Sequence, residues 1–218
     1  MAKVTVQFTC AECGATSGRW LGKCPGCGAF GSLVEELHGS ATERSVAALK
    51  PVKLGAVRAE EATRLSTGIA ELDRVLGGGL VPGSLVLVGG EPGVGKSTLL
   101  LTALGAIARD GRRALLVTGE ESAAQVSLRA ARLGGTDSVE ILAETELDAV
   151  CATLEAERPD VCVIDSVQTL HAAALGSAPG SVGQVREAAG RLLRVAKEAN
   201  VATVLVGHVT KDGAVAGP

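Results

Sequence analysis

From Leu65 to Val206 the apolar residues follow two alternating patterns. Short continuous runs rich in Val, Ile and Leu, such as SLVLVGG, VCVID and ATVLVGH, are separated by longer stretches in which apolar positions recur every three or four residues. The runs predict strands at Ser84–Gly89, Arg113–Thr118, Val139–Leu142, Val161–Asp165 and Ala202–Val206. The intervening stretches predict helices at Lys96–Arg109, Ser122–Arg132, Leu147–Glu157 and Val182–Ala199. Strands that are apolar throughout and alternate with helices predict an α/β fold, a parallel sheet covered by helices on both faces. Ligands of such sheets bind beyond the C-terminal ends of the strands. Residues 1–32 are different: poor in apolar mass and rich in Cys and Gly. Residues 33–62 are mixed in charge without sustained periodicity and read as a linker, leaving 63–218 as the core. No internal repeat is evident.

Composition narrows the function. Of 218 residues 46% are hydrophobic, enough for a core, yet Trp20, Phe8 and Phe30 are the only aromatics. Aromatic stacking platforms for single-stranded nucleic acid are therefore nearly excluded from the C-terminal four-fifths of the chain. With 21 Lys and Arg against 24 Asp and Glu, the net charge of −3 gives no global attraction to phosphate backbones, so any nucleic-acid contact must be local. No stretch has the pattern of a signal peptide or a membrane-spanning helix, which places the expected protein in the cytoplasm, away from membranes.

Gly90-Glu91-Pro92-Gly93-Val94-Gly95-Lys96-Ser97 fits G-x-x-x-x-G-K-[ST] and lies between a predicted strand and a predicted helix, the context this phosphate-binding loop requires. Glycines let the backbone wrap a phosphate with its N–H groups, and the helix N-terminus adds partial positive charge. Lys96 is placed to reach the β- and γ-phosphates of ATP, and Ser97 to offer its hydroxyl to Mg²⁺. Asp165 ends a buried strand about 70 residues later, where such enzymes keep an acid for the Mg²⁺ shell (the Walker B position), although a terminal Asp also serves as a turn cap. The strand RRALLVT leads into Glu120 and Glu121, either of which could orient or deprotonate an attacking water; alternatively they are acids complementing the next helix dipole. His208 ends the last strand, as a structural hydrogen-bonding residue or as a reporter of ATP versus ADP.

Four of six cysteines fall in one 18-residue window as Cys10-x-x-Cys13 and Cys24-x-x-Cys27, each pair followed by glycine. This spacing predicts a closed tetrahedral Cys₄ site, a structural zinc finger, with rubredoxin-like iron as the alternative. Ordering about 30 residues costs at least ~30 kcal/mol of backbone entropy, which so small a segment cannot offset unaided. A structural metal contributing ~10–16 kcal/mol meets that need. Cys151 and Cys162, in a predicted helix and strand, read as small buried apolar residues.

The run RLSTGIAELDRVLGGGLVPGSLVLVGGEPGVGKSTLLL resembles the RecA-like ATPase core, and its union with CAECG and RWLGKCPGCGAF resembles the bacterial RadA (Sms) family. LLVTGEES, VCVIDSVQT, SVGQVREAAGRLLRVAKEANV and GHVTKDGAVAGP extend the likeness. It implies a Mg²⁺-dependent ATPase of DNA repair, a hexameric ring acting on single-stranded and branched recombination intermediates and partnering the RecA recombinase. It also implies that Gly90, Gly93, Gly95, Lys96, Ser97 and Thr98 hold the phosphates, Asp165 the Mg²⁺ shell, and that loops Ser166–Ser181 and His208–Pro218 face DNA. Two departures qualify this: the first loop has no Lys or Arg and Lys211 is the only basic residue of the second. Members of the family also continue into a KNRFG motif and a Lon-protease-like domain, so a chain ending at Pro218 reads as a fragment, with slow turnover and an exposed sheet edge expected. Rival readings are a nucleotide-gated signalling or scaffold ATPase of the same superfamily without DNA binding, and a remnant that binds nucleotide only.

Overall fold

The structure is a computed structural model that describes residues 5–38, 53 and 64–208. Most of the segment read as linker lies outside the described residues, as does the loop His208–Pro218 beyond its first residue, Lys211 included. The N-terminal part is a small antiparallel ribbon: β1 (Thr5–Cys10), β2 (Thr16–Ser17) and β3 (Leu33–His38), in the order β2-β1-β3. β3 occupies the first six residues of the stretch read as linker, pairing along β1 from Cys10↔Leu33 to Thr5↔His38. Pairing with β1 holds this strand, and its Leu33 joins the ribbon's buried cluster.

The remainder runs α1 (Ala70–Val75), β4 (Leu85–Gly90), α2 (Lys96–Arg109), β5 (Ala114–Thr118), α3 (Ala123–Leu133), β6 (Glu140–Ala143), α4 (Leu147–Glu157), β7 (Val161–Asp165), α5 (Val182–Ala199) and β8 (Ala202–His208). The five strands form one parallel sheet in the order β4-β8-β7-β5-β6, as the alternation of apolar runs predicts. Successive residues of a strand point to opposite faces, and both faces are apolar here. Ala114, Leu116, Val161 and Val163 pack with Leu100, Leu101, Leu104 and Ile107 of α2. Leu115, Val117, Cys162 and Ile164 pack with α4 and with Ala188, Leu192 and Val195 of α5. Cys151 and Cys162 are both buried, and burial pushes the Cys162 thiol well above its ordinary value, which keeps it inert.

Helix ends are set by short-range chemistry. Ser122 and Gln125 form a reciprocal capping box at the start of α3, and Ser181 accepts from Gln184 N at the start of α5. Asn200, in the left-handed region, ends α5. Among the described residues β4 pairs on one side alone, with β8, and a cavity of about 270 Å³ beside it is lined by Leu72, Val75, Leu87 and Leu100 among others. No described helix is long and apolar enough to cross a membrane.

The loop between β7 and α5 is tied down by one buried amide. Gln184 Oε1 accepts from Ala172 N at 2.7 Å, and its Nε2 donates to the carbonyls of Ser177 at 2.9 Å and Ala172 at 3.3 Å. Deleting that amide orphans several buried backbone groups at once. Gln184→Ala should therefore lower stability by about 2–3 kcal/mol, measured as a lower urea midpoint with an unchanged m-value.

Candidate functional site

The C-terminal ends of the parallel strands converge on the phosphate loop. Gly95 stands immediately before α2 at φ 96°, a conformation that favours glycine, and supplies no side chain to cap the helix. The first backbone N–H groups of α2 are thus left for an anion. Lys96 is only 8% exposed, and its Nζ donates to the carbonyls of Gly90 at 2.8 Å and Glu91 at 2.9 Å. The ammonium folds back onto the first two residues of the loop, which runs from Gly90 through Glu91, Pro92, Gly93 and Val94 to Gly95. Ser97 and Thr98 follow in the first turn of α2.

β8 lies between the loop strand β4 and the acid-bearing strand β7, with Gly90 paired to His208. β5 lies on the other side of β7, with Thr118 paired to Asp165 and Gly119 N donating to Asp165 O at 2.9 Å. Parallel register therefore brings Asp165, Glu120 and His208 to one edge. Asp165 is 6% exposed. A Cβ on Gly119 would overlap Thr169 Oγ1, so glycine is what allows the chain to turn toward Asp165 here.

The two neighbouring acids take different directions. Glu120 Oε1 accepts from Ser166 Oγ at 2.5 Å and from His208 Nε2 at 2.8 Å. Burial raises the Glu120 pKa, but the hydrogen bonds from Ser166 and His208 and the nearby charges of His208 and Lys96 outweigh it and hold the carboxyl below its ordinary value. Glu121 instead pairs with Arg129 Nη1 of α3 at 2.7 Å, while its backbone is locked through Thr118 Oγ1. Ser166 is a site residue that motif spacing does not reveal; its place directly after the strand-end acid is the only signal pointing to it. His208 joins the acid cluster and does not stand alone.

The four ribbon cysteines form the second site. Each Cys-x-x-Cys-Gly turn repeats the same bonds: Gly14 N to Cys10 O at 2.8 Å and Gly28 N to Cys24 O at 2.9 Å, with both glycines at positive φ. The sulfurs all lie within 4.8 Å of one another, Cys10 to Cys27 at 3.7 Å and Cys13 to Cys24 at 3.6 Å. Sulfurs about 2.3 Å from a tetrahedral zinc stand about 3.8 Å apart, so the residues fit the metal, whereas disulfides need about 2 Å. The four thiols differ in their surroundings. Cys10 is drawn down to about 6, burial being outweighed by Ser32 and the backbone of Cys13 and Glu12. Cys13, despite a backbone hydrogen bond at Ala15, is pushed up to about 12 by burial and the neighbouring thiols.

A glycine-lined anion loop opening a helix, with acids at adjacent strand ends, defines a phosphate-loop nucleotide-binding core, here preceded by a four-cysteine metal ribbon. A family model described as an AAA domain matches residues 50–214, and one described as a rubredoxin metal binding domain matches residues 8–35. Over its whole length the chain is 47% identical to DNA repair protein RadA of Brucella abortus, 49% to that of Escherichia coli and 50% to that of Pseudomonas aeruginosa. The chain belongs to the RadA family. It spans about half the length of the curated relatives it matches.

Metal binding by the ribbon must fall as pH is lowered, because protons compete for the thiolates. One zinc per chain is the expected result of elemental analysis at neutral pH, with release on acidification and loss in Cys24→Ser; finding iron, or no metal in freshly prepared protein, would overturn the zinc assignment.

Proposed function

We propose that the chain carries the ATPase machinery of a DNA-repair protein, binding ATP on the loop that starts at Gly90 and hydrolysing it by in-line attack of water on the γ-phosphate. The observation that carries this reading is the meeting of Glu120, Ser166 and His208 at the strand end beside the Lys96 loop. Backbone N–H groups between Gly90 and Ser97, Pro92 having none, would hold the phosphates, with the first turn of α2, Thr98 included, closing over them. Lys96 Nζ would exchange its bonds to Gly90 O and Glu91 O for phosphate oxygens and bring its charge to the polyphosphate.

The hydroxyl of Ser97 and the carboxylate of Asp165 are hard oxygen donors of the kind Mg²⁺ takes, and would hold that ion. Mg²⁺ bound there would supply charge neutralisation on the phosphates. Of the two acids, Glu120 is the one whose surroundings suit a water-orienting base: Ser166 and His208 both hold one oxygen, leaving Oε2 for the water, and its depressed pKa keeps it ionised. Glu121 positions α3 through Arg129 and takes no part.

The names of the relatives support a role in DNA repair. Single-stranded or branched DNA is the proposed effector, the RecA recombinase the proposed partner, and a homo-hexamer the proposed assembly of the longer protein, placed in the cytoplasm. The loop Ser166–Ser181 carries no Lys or Arg, so its share of any DNA contact would come through backbone and Ser or Gln groups.

Lys96→Ala should abolish ATP turnover. Glu120→Gln should lower kcat by about 10²–10⁴ with nucleotide affinity retained, while Glu121→Gln should keep turnover close to wild type; equal losses in the two acid variants would overturn the assignment. Turnover should rise with single-stranded DNA and lose that stimulation steeply with salt. Turnover indifferent to DNA would favour the nucleotide-gated scaffold instead.

A further inference from the structure

We propose that the metal ribbon, through Trp20 and Phe30, is where this chain stacks the bases of single-stranded nucleic acid. Trp20 is 59% exposed and Phe30 80% exposed, although each is a ring that folding ordinarily hides. The ribbon spends its third ring, Phe8, on its own small core, and the rest of the chain holds no Phe, Trp or Tyr at all.

Both exposed rings sit on one short hairpin whose shape the metal turn sets. Lys23 and Phe30 form an antiparallel bridge, Gly31 N donates to Gly22 O at 3.0 Å, and Cys24 N donates to Ala29 O at 2.8 Å. The Trp20 ring lies beside Gly22, within 3.8 Å of where a Cβ would stand, so both rings belong to the same end of the hairpin. Cys24 and Cys27 lie between them in the chain, and the bound metal would fix the rings before any ligand arrives.

The chemistry around the rings selects the occupant. Lys23 Nζ lies 5.4 Å from the Phe30 ring centre, and Arg19 is exposed immediately before Trp20. Between Cys10 and Leu33 these two cations share the chain with one carboxylate, Glu12, while Glu35 and Glu36 follow on β3. Leu21 turns inward onto the ribbon core, and no large aliphatic side chain of the ribbon is exposed among the described residues. Two rings set among glycines and cations, without the contiguous apolar area a protein partner buries, match a strand that offers successive π-faces and a phosphate backbone. Elsewhere, the core loop Ser166–Ser181 has no Phe, Trp or Tyr ring and no Lys or Arg. This deepens the nucleic-acid part of the function proposed above and rests on it for the class of partner.

Trp20 is the only tryptophan and tyrosine is absent, so the protein's intrinsic fluorescence reports this surface directly. The test titrates the zinc-loaded full chain with an end-labelled oligodeoxythymidylate, following label anisotropy and Trp20 emission together. Saturable quenching with the same midpoint as the anisotropy is expected. Phe30→Ala and Trp20→Leu, each checked for unchanged zinc content, should weaken binding about tenfold. Exchanging Arg19 and Lys23 for Gln should lower the salt slope by about one for each phosphate no longer neutralised. Anisotropy binding with Trp20 emission unmoved and wild-type affinity in Phe30→Ala would overturn the ribbon assignment while sparing the DNA reading. No anisotropy change with any oligonucleotide would overturn both and mark the rings as a protein-docking surface.

Discussion

A helix that begins without a side-chain cap leaves backbone N–H groups unsatisfied, and the core of this protein is arranged around one such end. α3 and α5 begin with Ser122 and Ser181, whose hydroxyls satisfy a backbone amide in each case. α2, like α1 and α4, begins without a side-chain cap, and among the described α-helices it is the one that follows a glycine, Gly95. A parallel sheet supports the exposed end from below, since β4 delivers the loop and α2 packs back over the sheet through Leu100, Leu101 and Leu104. Lys96 bonds back to the loop's own carbonyls, at Gly90 and Glu91. The same lysine is therefore both a strut of the loop and the charge that an incoming polyphosphate would claim.

Register distributes the remaining groups. In parallel pairing, residues at equivalent strand ends come out on the same side of the sheet, so Gly90 and His208 form one row and, two residues before it along the sheet, Asp165 and Thr118 another, although the chain visits them far apart. Glu120 and Glu121 lie just beyond that row and face different fields. Ser166 and His208 hold the first toward the loop, and Arg129 holds the second toward α3. The division needs no difference in residue type. It follows from what each direction of the chain meets.

The ribbon solves a different problem. Its buried cluster comprises little more than Cys10, Cys24 and Leu33, too little apolar mass to order the segment by itself. Ligation replaces the missing core, and two rings that would otherwise be needed inside remain on the surface. The protein thus keeps its phosphate chemistry and its aromatic surface on separate units of unlike construction.

The amino-acid sequence by itself determined the classes of structure: nearly every core helix and strand, the loop from Gly90 to Ser97, the strand-end Asp165 and the four ligand cysteines. These are carried by local spacing, apolar runs of strand length, glycines at required turns, and thiols at knuckle intervals, which physics reads within a few residues. Tertiary structure alone decided that Glu120 and not Glu121 meets His208, that Ser166 joins them, that β3 extends the ribbon past Ser32, and that Trp20 and Phe30 remain outside any core. Each of these depends on which atoms arrive from distant parts of the chain, and a side chain's direction is set by those neighbours, not by its own identity.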